Sequence, residues 1–204
     1  KGKSAYGGAS KMPARGGSSG AAAAREILHY AGVEDVSIQR TQGWLSDHYD
    51  PSRRVLRLSP DVYEGRSLAS LGIAAHEAGH ALQHAQNYAP LTMRNAIVPM
   101  ASVGSYLSFI LIIIGLVIGM TGLAWVGVGA FAVVVLFQLV NLPCEFNASA
   151  RARALLTDHG LVTDTEDKEV KRVLDAAALT YVAALVGALL QLAYYAMLVA
   201  GARE

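Results

Sequence analysis

A chain of 204 residues can hold one domain with a sizeable core. Its net charge of +1 argues against a nucleic-acid partner, and a single cysteine, Cys144, excludes an intramolecular disulfide framework. An apolar share of 53% against 16% charged residues is lopsided for a water-soluble domain. The sequence opens on Lys1 rather than methionine, shows no signal-peptide pattern, and reads as a piece of a longer protein.

Residues 1–20 are basic and rich in Gly and Ser, the composition of a flexible arm. From Ala21, "AAAAREILHYAG" joins strong helix formers to a Gly stop and predicts a helix ending near Gly32. "VSIQRTQG" reads as a short strand. "SDHYDPSRRVLRLS" reads as a hairpin, with turn chemistry at Asp50-Pro51-Ser52 and a second strand carrying Val55, Leu56 and Leu58. An extended peptide adding as a strand along residues 53–58 is one expectation, although Arg53 and Arg54 fit a solvated hairpin edge better. Ser67 caps the helix "LASLGIAAHEAGHALQHAQ", and Pro90 breaks the pattern.

Residues 95–144 carry no charged side chain and no histidine. Gly119-Met120-Thr121-Gly122 divides this block into halves of more than ~20 residues, each enough to cross a ~30 Å hydrocarbon core as a helix. Trp125 suits an interfacial position near the turn. Gly115 and Gly119 have G-x-x-x-G spacing, a weak packing signal. A third uncharged stretch runs from Ala176 to Ala202, with Tyr181, Tyr194 and Tyr195 at its ends or against its neighbours. The expected class is therefore mainly α and integral to a membrane, with a small β-hairpin or sheet and about three transmembrane helices. Its segments are a flexible arm at 1–20, a polar part at 21–94, a transmembrane hairpin at 95–144, a further polar helix at 145–175 and a transmembrane helix at 176–202. A hairpin returns the chain to the side it left, so residues 1–94 and 145–175 share one face. Sixteen of the 17 Lys and Arg residues lie there and the hairpin turn has none, which predicts a cytoplasmic placement for the polar face.

Within the Ser67-capped helix stands His76-Glu77-Ala78-Gly79-His80, an H-E-x-x-H pattern. Histidines four residues apart stack on one face of a helix, where both imidazoles can reach one Zn²⁺ at ~2.0–2.1 Å. Glu77, beside the first ligand, is placed to act as general base on a zinc-activated water. Three fixed positions can match by chance. Without an ion, however, two histidines and a glutamate would stand unpaired on an apolar helix, which is costly. Ala78 and Gly79 are small enough to admit a close neighbour. The third ligand is not local. Ten residues after His76 stands Gln86, and His84 is two turns away and too far to share the ion. Glu145, the first charge after the hairpin, is the foremost candidate, since coordination would offset the cost of a carboxylate at the end of a long apolar run. Asp158, His159 and Asp164 compete with it.

The blocks "LSDHYDPSRRVLRLSPDVYEG", "AAHEAGHALQHAQNYAPL", "FQLVNLPCEFNASARA" and "AALTYVAALV" resemble the YugP-type membrane zinc metallopeptidases of bacteria, over about residues 5–203. The resemblance implies a further hydrophobic helix ahead of Lys1 and a zincin-like placement of the metal helices. A more distant likeness is to the HtpX and CAAX-prenyl endopeptidase group. These gluzincins also set a transmembrane hairpin between H-E-x-x-H and a later E-x-x-A helix, matched here by Glu145 and Ala148. That group has Asp where this chain has Ser149. Ser149 or Asn147 is then expected to support a ligand histidine more weakly than a carboxylate would.

Together these features predict a membrane-embedded zinc metalloendopeptidase of the bacterial cytoplasmic membrane, with its active site facing the cytoplasm. Its expected partners are a polypeptide substrate at or near the membrane and the lipid bilayer. His76, His80 and Glu145 would hold zinc, and Glu77 would move the proton. His48 or Tyr181 would stabilise the oxyanion; the plainer roles are a turn hydrogen bond for His48 and bundle packing for Tyr181. The alternatives are a zinc-stabilised scaffold or binding protein without proteolysis, or a zinc hydrolase of a non-peptide amide.

Overall fold

A computed structural model describes residues 7–43 and 46–202. Residues 1–6 of the predicted arm, and Arg203 at the carboxy terminus, lie outside the described residues. The protein is mainly helical, with one small sheet. In chain order the elements are α1 (Gly20–Tyr30), β1 (Ser37–Arg40), β2 (His48–Asp50), β3 (Val55–Leu58), the short α2 (Pro60–Tyr63), α3 (Leu68–Ala85), α4 (Ala89–Val117), α5 (Thr121–Asp158) and α6 (Asp164–Gly201).

The helix ends follow from their caps. Ser19 accepts a hydrogen bond from the Ala22 N–H at the start of α1, and Gly32 adopts φ 70° just past its end. Ser67 does the same for α3 by accepting from Ser70 N–H at 3.1 Å. The break after α3 falls at Gln86-Asn87-Tyr88, with Asn87 at φ 51°, so Pro90 sits in the first turn of α4, where its missing N–H costs nothing.

The chain forms two compact units, Lys1–Tyr88 with Cys144–Leu179, and Ala89–Pro143 with Thr180–Glu204. The first has a core of Ile27, Leu56, Leu58, Leu71 and Val62 together with Leu156 and Val170 from the later helices. The stretch before α1, whose composition suggests a flexible arm, is packed into this unit from residue 7 onward. Ala9 and Ala14 are buried, Pro13 bridges Ser67, and the Arg15 N–H donates to Glu166. Small apolar side chains and free backbone groups find partners there that composition alone does not reveal. In the second unit Ile112, Ala124, Val128 and Val199 form a smaller cluster, and Phe131 meets Tyr195 edge to face. Gly115 lies so close to α5 that a Cβ on it would stand 2.5 Å from Ala124 N. Gly119 instead makes the turn at φ 74°, so the two glycines do not act as a G-x-x-x-G pair.

Helices α4, α5 and α6 are each long and apolar enough to cross a membrane. Large apolar side chains such as Val103, Tyr106, Phe109, Val117 and Met197 are exposed along them, an arrangement suited to hydrocarbon and unfavourable in water. The expected boundaries at 144 and 175 fall within continuous helices, and the first coincides with the unit boundary at Cys144. Helix α5 continues through Pro143 to Asp158, and α6 runs without interruption from Asp164. A 38-residue helix is ~57 Å long, well beyond a ~30 Å core, so a polar segment of each helix extends past its apolar part.

The sheet has the order β1-β3-β2, with β1 parallel to β3 and β2 antiparallel to it. This corrects the expectation of a peptide adding along residues 53–58. Strand β3 is central and has both edges paired, so it has no free backbone groups to offer. The hairpin turn is organised by Asp50, whose carboxylate accepts from the Ser52 hydroxyl at 2.6 Å, from the Ser52 and Arg53 N–H groups, and from Arg57. Arg54 pairs with Asp35. The Ser52 hydroxyl, with help from the backbone N–H groups and Arg57, holds the Asp50 carboxyl down at about 2, against an ordinary 3.8. A depressed carboxyl stabilises the fold above its ordinary value, and that contribution is lost as pH falls through about 2. Titration of the Asp50 carboxyl followed by NMR should show a midpoint near 2, moving upward in Ser52→Ala. An ordinary midpoint in the unaltered chain would refute this account of the turn.

Candidate metal centre

Helix α3 places His76 and His80 one turn apart on the same face, with ring centroids 4.8 Å apart and planes nearly perpendicular. The polar end of α5 brings Glu145 to them. Its Oε2 lies 3.2 Å from His76 Nε2 and 3.7 Å from His80 Nε2. One ligand atom from each of the three residues falls within 4.8 Å of the others. Of the third-ligand candidates, Glu145 is the one in this group. His159 instead stacks on Tyr30, with centroids 3.7 Å apart.

The approach of the two helices depends on Gly79. A Cβ there would lie 2.6 Å from the Ala148 carbonyl oxygen, inside the closest distance such atoms tolerate. Only glycine allows α5 to lie against α3 one turn from the ligands. Glu145 is almost wholly buried, and burying a carboxylate without partners is costly, so the convergence is not an incidental surface pairing.

Each histidine is held from behind. His76 Nδ1 is 3.0 Å from Ser149 Oγ, and His80 Nδ1 is 3.0 Å from Gln83 Oε1. Ser149 therefore takes the supporting position that the resemblance left to it or to Asn147; Asn147 bonds Gln83 instead. Gln83 is absent from the sequence reading. The available signal was its place three residues after His80 and seven after His76, which puts a polar side chain on the buried ligand face.

The group fits a divalent zinc ion. A tetrahedral ion with bonds of ~2.1 Å separates its ligand atoms by ~3.4 Å. The two histidine-to-carboxylate distances bracket that value. Two imidazole nitrogens facing one buried carboxylate oxygen also need a cation or protons between them. Such a set of two nitrogens and one oxygen is the donor chemistry zinc favours, with a fourth position open.

Glu77, the residue after His76, is half-buried and makes no hydrogen bond or ion pair among the described residues. His48 is exposed on β2. Its Nδ1 donates to the Ser46 carbonyl at 2.7 Å, and its Nε2 accepts from Arg57 at 3.4 Å. These contacts are of the kind expected for a turn hydrogen-bonder. Tyr181 is on α6 in the second compact unit. His84 bonds the Tyr49 hydroxyl at 2.8 Å and is not among the ligands. That hydroxyl sits above its ordinary pKa, chiefly because of burial and secondarily because of the Asp50 charge, so it remains protonated at neutral pH.

Comparison with known proteins agrees with this chemistry. Residues 1–200 match the model of a family described as "Putative neutral zinc metallopeptidase". The chain is 43% identical over 195 residues to "Putative membrane protease YugP" of Bacillus subtilis (strain 168), an alignment covering 96% of this chain and 87% of that protein. No solved structure matches it.

Proposed function

This chain belongs to that zinc metallopeptidase family, and from that premise we propose that it is a membrane-embedded endopeptidase acting on polypeptides at or near the membrane surface. The observation that carries the reading is the convergence of His76, His80 and Glu145, with an uncommitted Glu77 next to His76 in the chain. Zinc held by the three ligands supplies Lewis acidity toward a scissile carbonyl and toward water. Glu77 takes a proton from the attacking water as its oxygen bonds to the carbonyl carbon. Glu77 then delivers that proton to the departing amine nitrogen as the carbon–nitrogen bond breaks. Ser149 and Gln83 keep the histidine rings aimed throughout.

An extended substrate fits the outer edge of β2. Among the described residues this strand pairs with β3 alone, and Tyr49 within it is tied to the metal helix through His84. A peptide adding there gains main-chain hydrogen bonds and is fixed in register against α3. The distribution of Lys and Arg supports a site on the cytoplasmic face of the bacterial cytoplasmic membrane.

Metal analysis tests the reading. The purified chain should hold one zinc per molecule, and Glu145→Ala should leave only fractional occupancy at equal free zinc. Full occupancy in that variant would remove Glu145 from the ligand set.

A further inference from the structure

The fully buried side chain of Gln83 links three other groups, and their chemistry fixes its orientation. The chain of contacts begins at Arg151, whose Nε donates to Asn147 at 2.7 Å. A guanidinium can only donate, so the Asn147 atom facing it is the carbonyl oxygen. Gln83 approaches the same oxygen at 2.9 Å and the Cys144 carbonyl oxygen at 2.8 Å, so it must present its –NH₂ to both. Its own oxygen is left facing His80 Nδ1, and that oxygen can only accept. His80 therefore carries a hydrogen on Nδ1, which leaves Nε2, the nitrogen turned toward Glu145, as the one that can offer a lone pair to a metal. Arg151 is anchored in turn by Gln86 and by the Tyr88 ring, 5.6 Å from its centroid.

We propose that Gln83 and Arg151 are positioning residues. Through Asn147, they commit His80 to the tautomer that can bind a metal. The same Gln83 amide, bonded to the carbonyl of Cys144, ties the metal helix to the residue immediately before Glu145. One side chain thereby orients two of the three ligands, which come from helices far apart in sequence. This inference rests on the reading of His80 and Glu145 as ligands.

The test uses the full chain in lipid nanodiscs. Zinc affinity, measured by chelator competition, should fall about 10–100-fold in Gln83→Leu. Arg151→Met should fall in the same direction by less. Leu71→Ala, a cavity in the core on the same helix, should lower thermal stability and leave zinc affinity unchanged. Imidazole ¹⁵N spectra of the metal-free chain should show His80 protonated at Nδ1 in the wild type and as a tautomer mixture in Gln83→Leu and Arg151→Met. Should Gln83→Leu fail to fold, Arg151→Met carries both measurements. Unaltered zinc affinity together with an unaltered His80 tautomer would overturn the proposal. If the wild type bound no zinc, the ligand reading would fail instead, and the metal-free spectra would still decide whether the hydrogen-bond chain sets the tautomer.

Discussion

Glu77→Gln is expected to keep one zinc per chain and to lower peptide cleavage by about 10²–10⁴-fold, the range of a lost general base. The substitution preserves shape and removes only the ability to accept a proton. Glu77 makes no hydrogen bond or ion pair among the described residues, so its replacement leaves no partner orphaned. Fold and thermal midpoint should therefore hold, which separates this variant from those that disturb the ligands. The same variant discriminates between functions. A scaffold that uses zinc only for stability would lose nothing measurable. A hydrolase of some other amide would lose that activity while neither form cut polypeptides. Comparing membrane proteomes from cells carrying the wild type and the variant exposes the substrates, which should accumulate only with the variant. Persistent cleavage in Glu77→Gln would exclude the proposed proton path.

Much of this centre was legible in the sequence because its parts have strong local signatures. His76, Glu77 and His80 lie within five residues on a periodic helix, and the uncharged block from 95 to 144 has one physical explanation that also returns Glu145 to the metal helix. What was not legible depends on pairings that sequence spacing does not record. Strand β3 looks like an edge in a two-stranded hairpin and becomes the centre only when β1 joins it in parallel from before the hairpin. The Gly- and Ser-rich start looks unstructured because its apolar contacts come from alanines, and the distant backbone partners of Met12 and Ala14, Leu68 and Arg66, stand more than fifty residues later. Gln83 gave only a faint signal because a glutamine on a helix has many ordinary roles. Its significance appears when Cys144, Asn147 and His80 are all seen to reach the same amide.

The second large effect is expected at Gly79, where the smallest possible change acts on the whole centre. An alanine there would place its Cβ 2.6 Å from the Ala148 carbonyl oxygen and 3.2 Å from its Cα. These are backbone atoms of a long helix, so no rotamer change relieves the contact and α5 itself must move. Overpacking of this kind costs about 1–3 kcal/mol. At roughly 2–4 °C per kcal/mol for a chain of this size, the thermal midpoint should drop by several degrees. The functional loss should be larger than the stability loss. Ala148 is three residues from Glu145, so a shift that relieves the contact carries the carboxylate with it. Metal ligation tolerates about 0.2 Å. A displacement near 1 Å at a reacting centre costs on the order of 10²-fold in rate. Gly79→Ala should therefore weaken zinc binding and reduce cleavage about 10²-fold while most of the chain remains folded. Gly187→Ala is the matched control: no atom lies within 4 Å of its added Cβ, and a helix-interior alanine should be neutral or slightly stabilising. If Gly79→Ala retained wild-type zinc affinity and turnover, the close approach of α3 and α5 would not be what sets the position of Glu145.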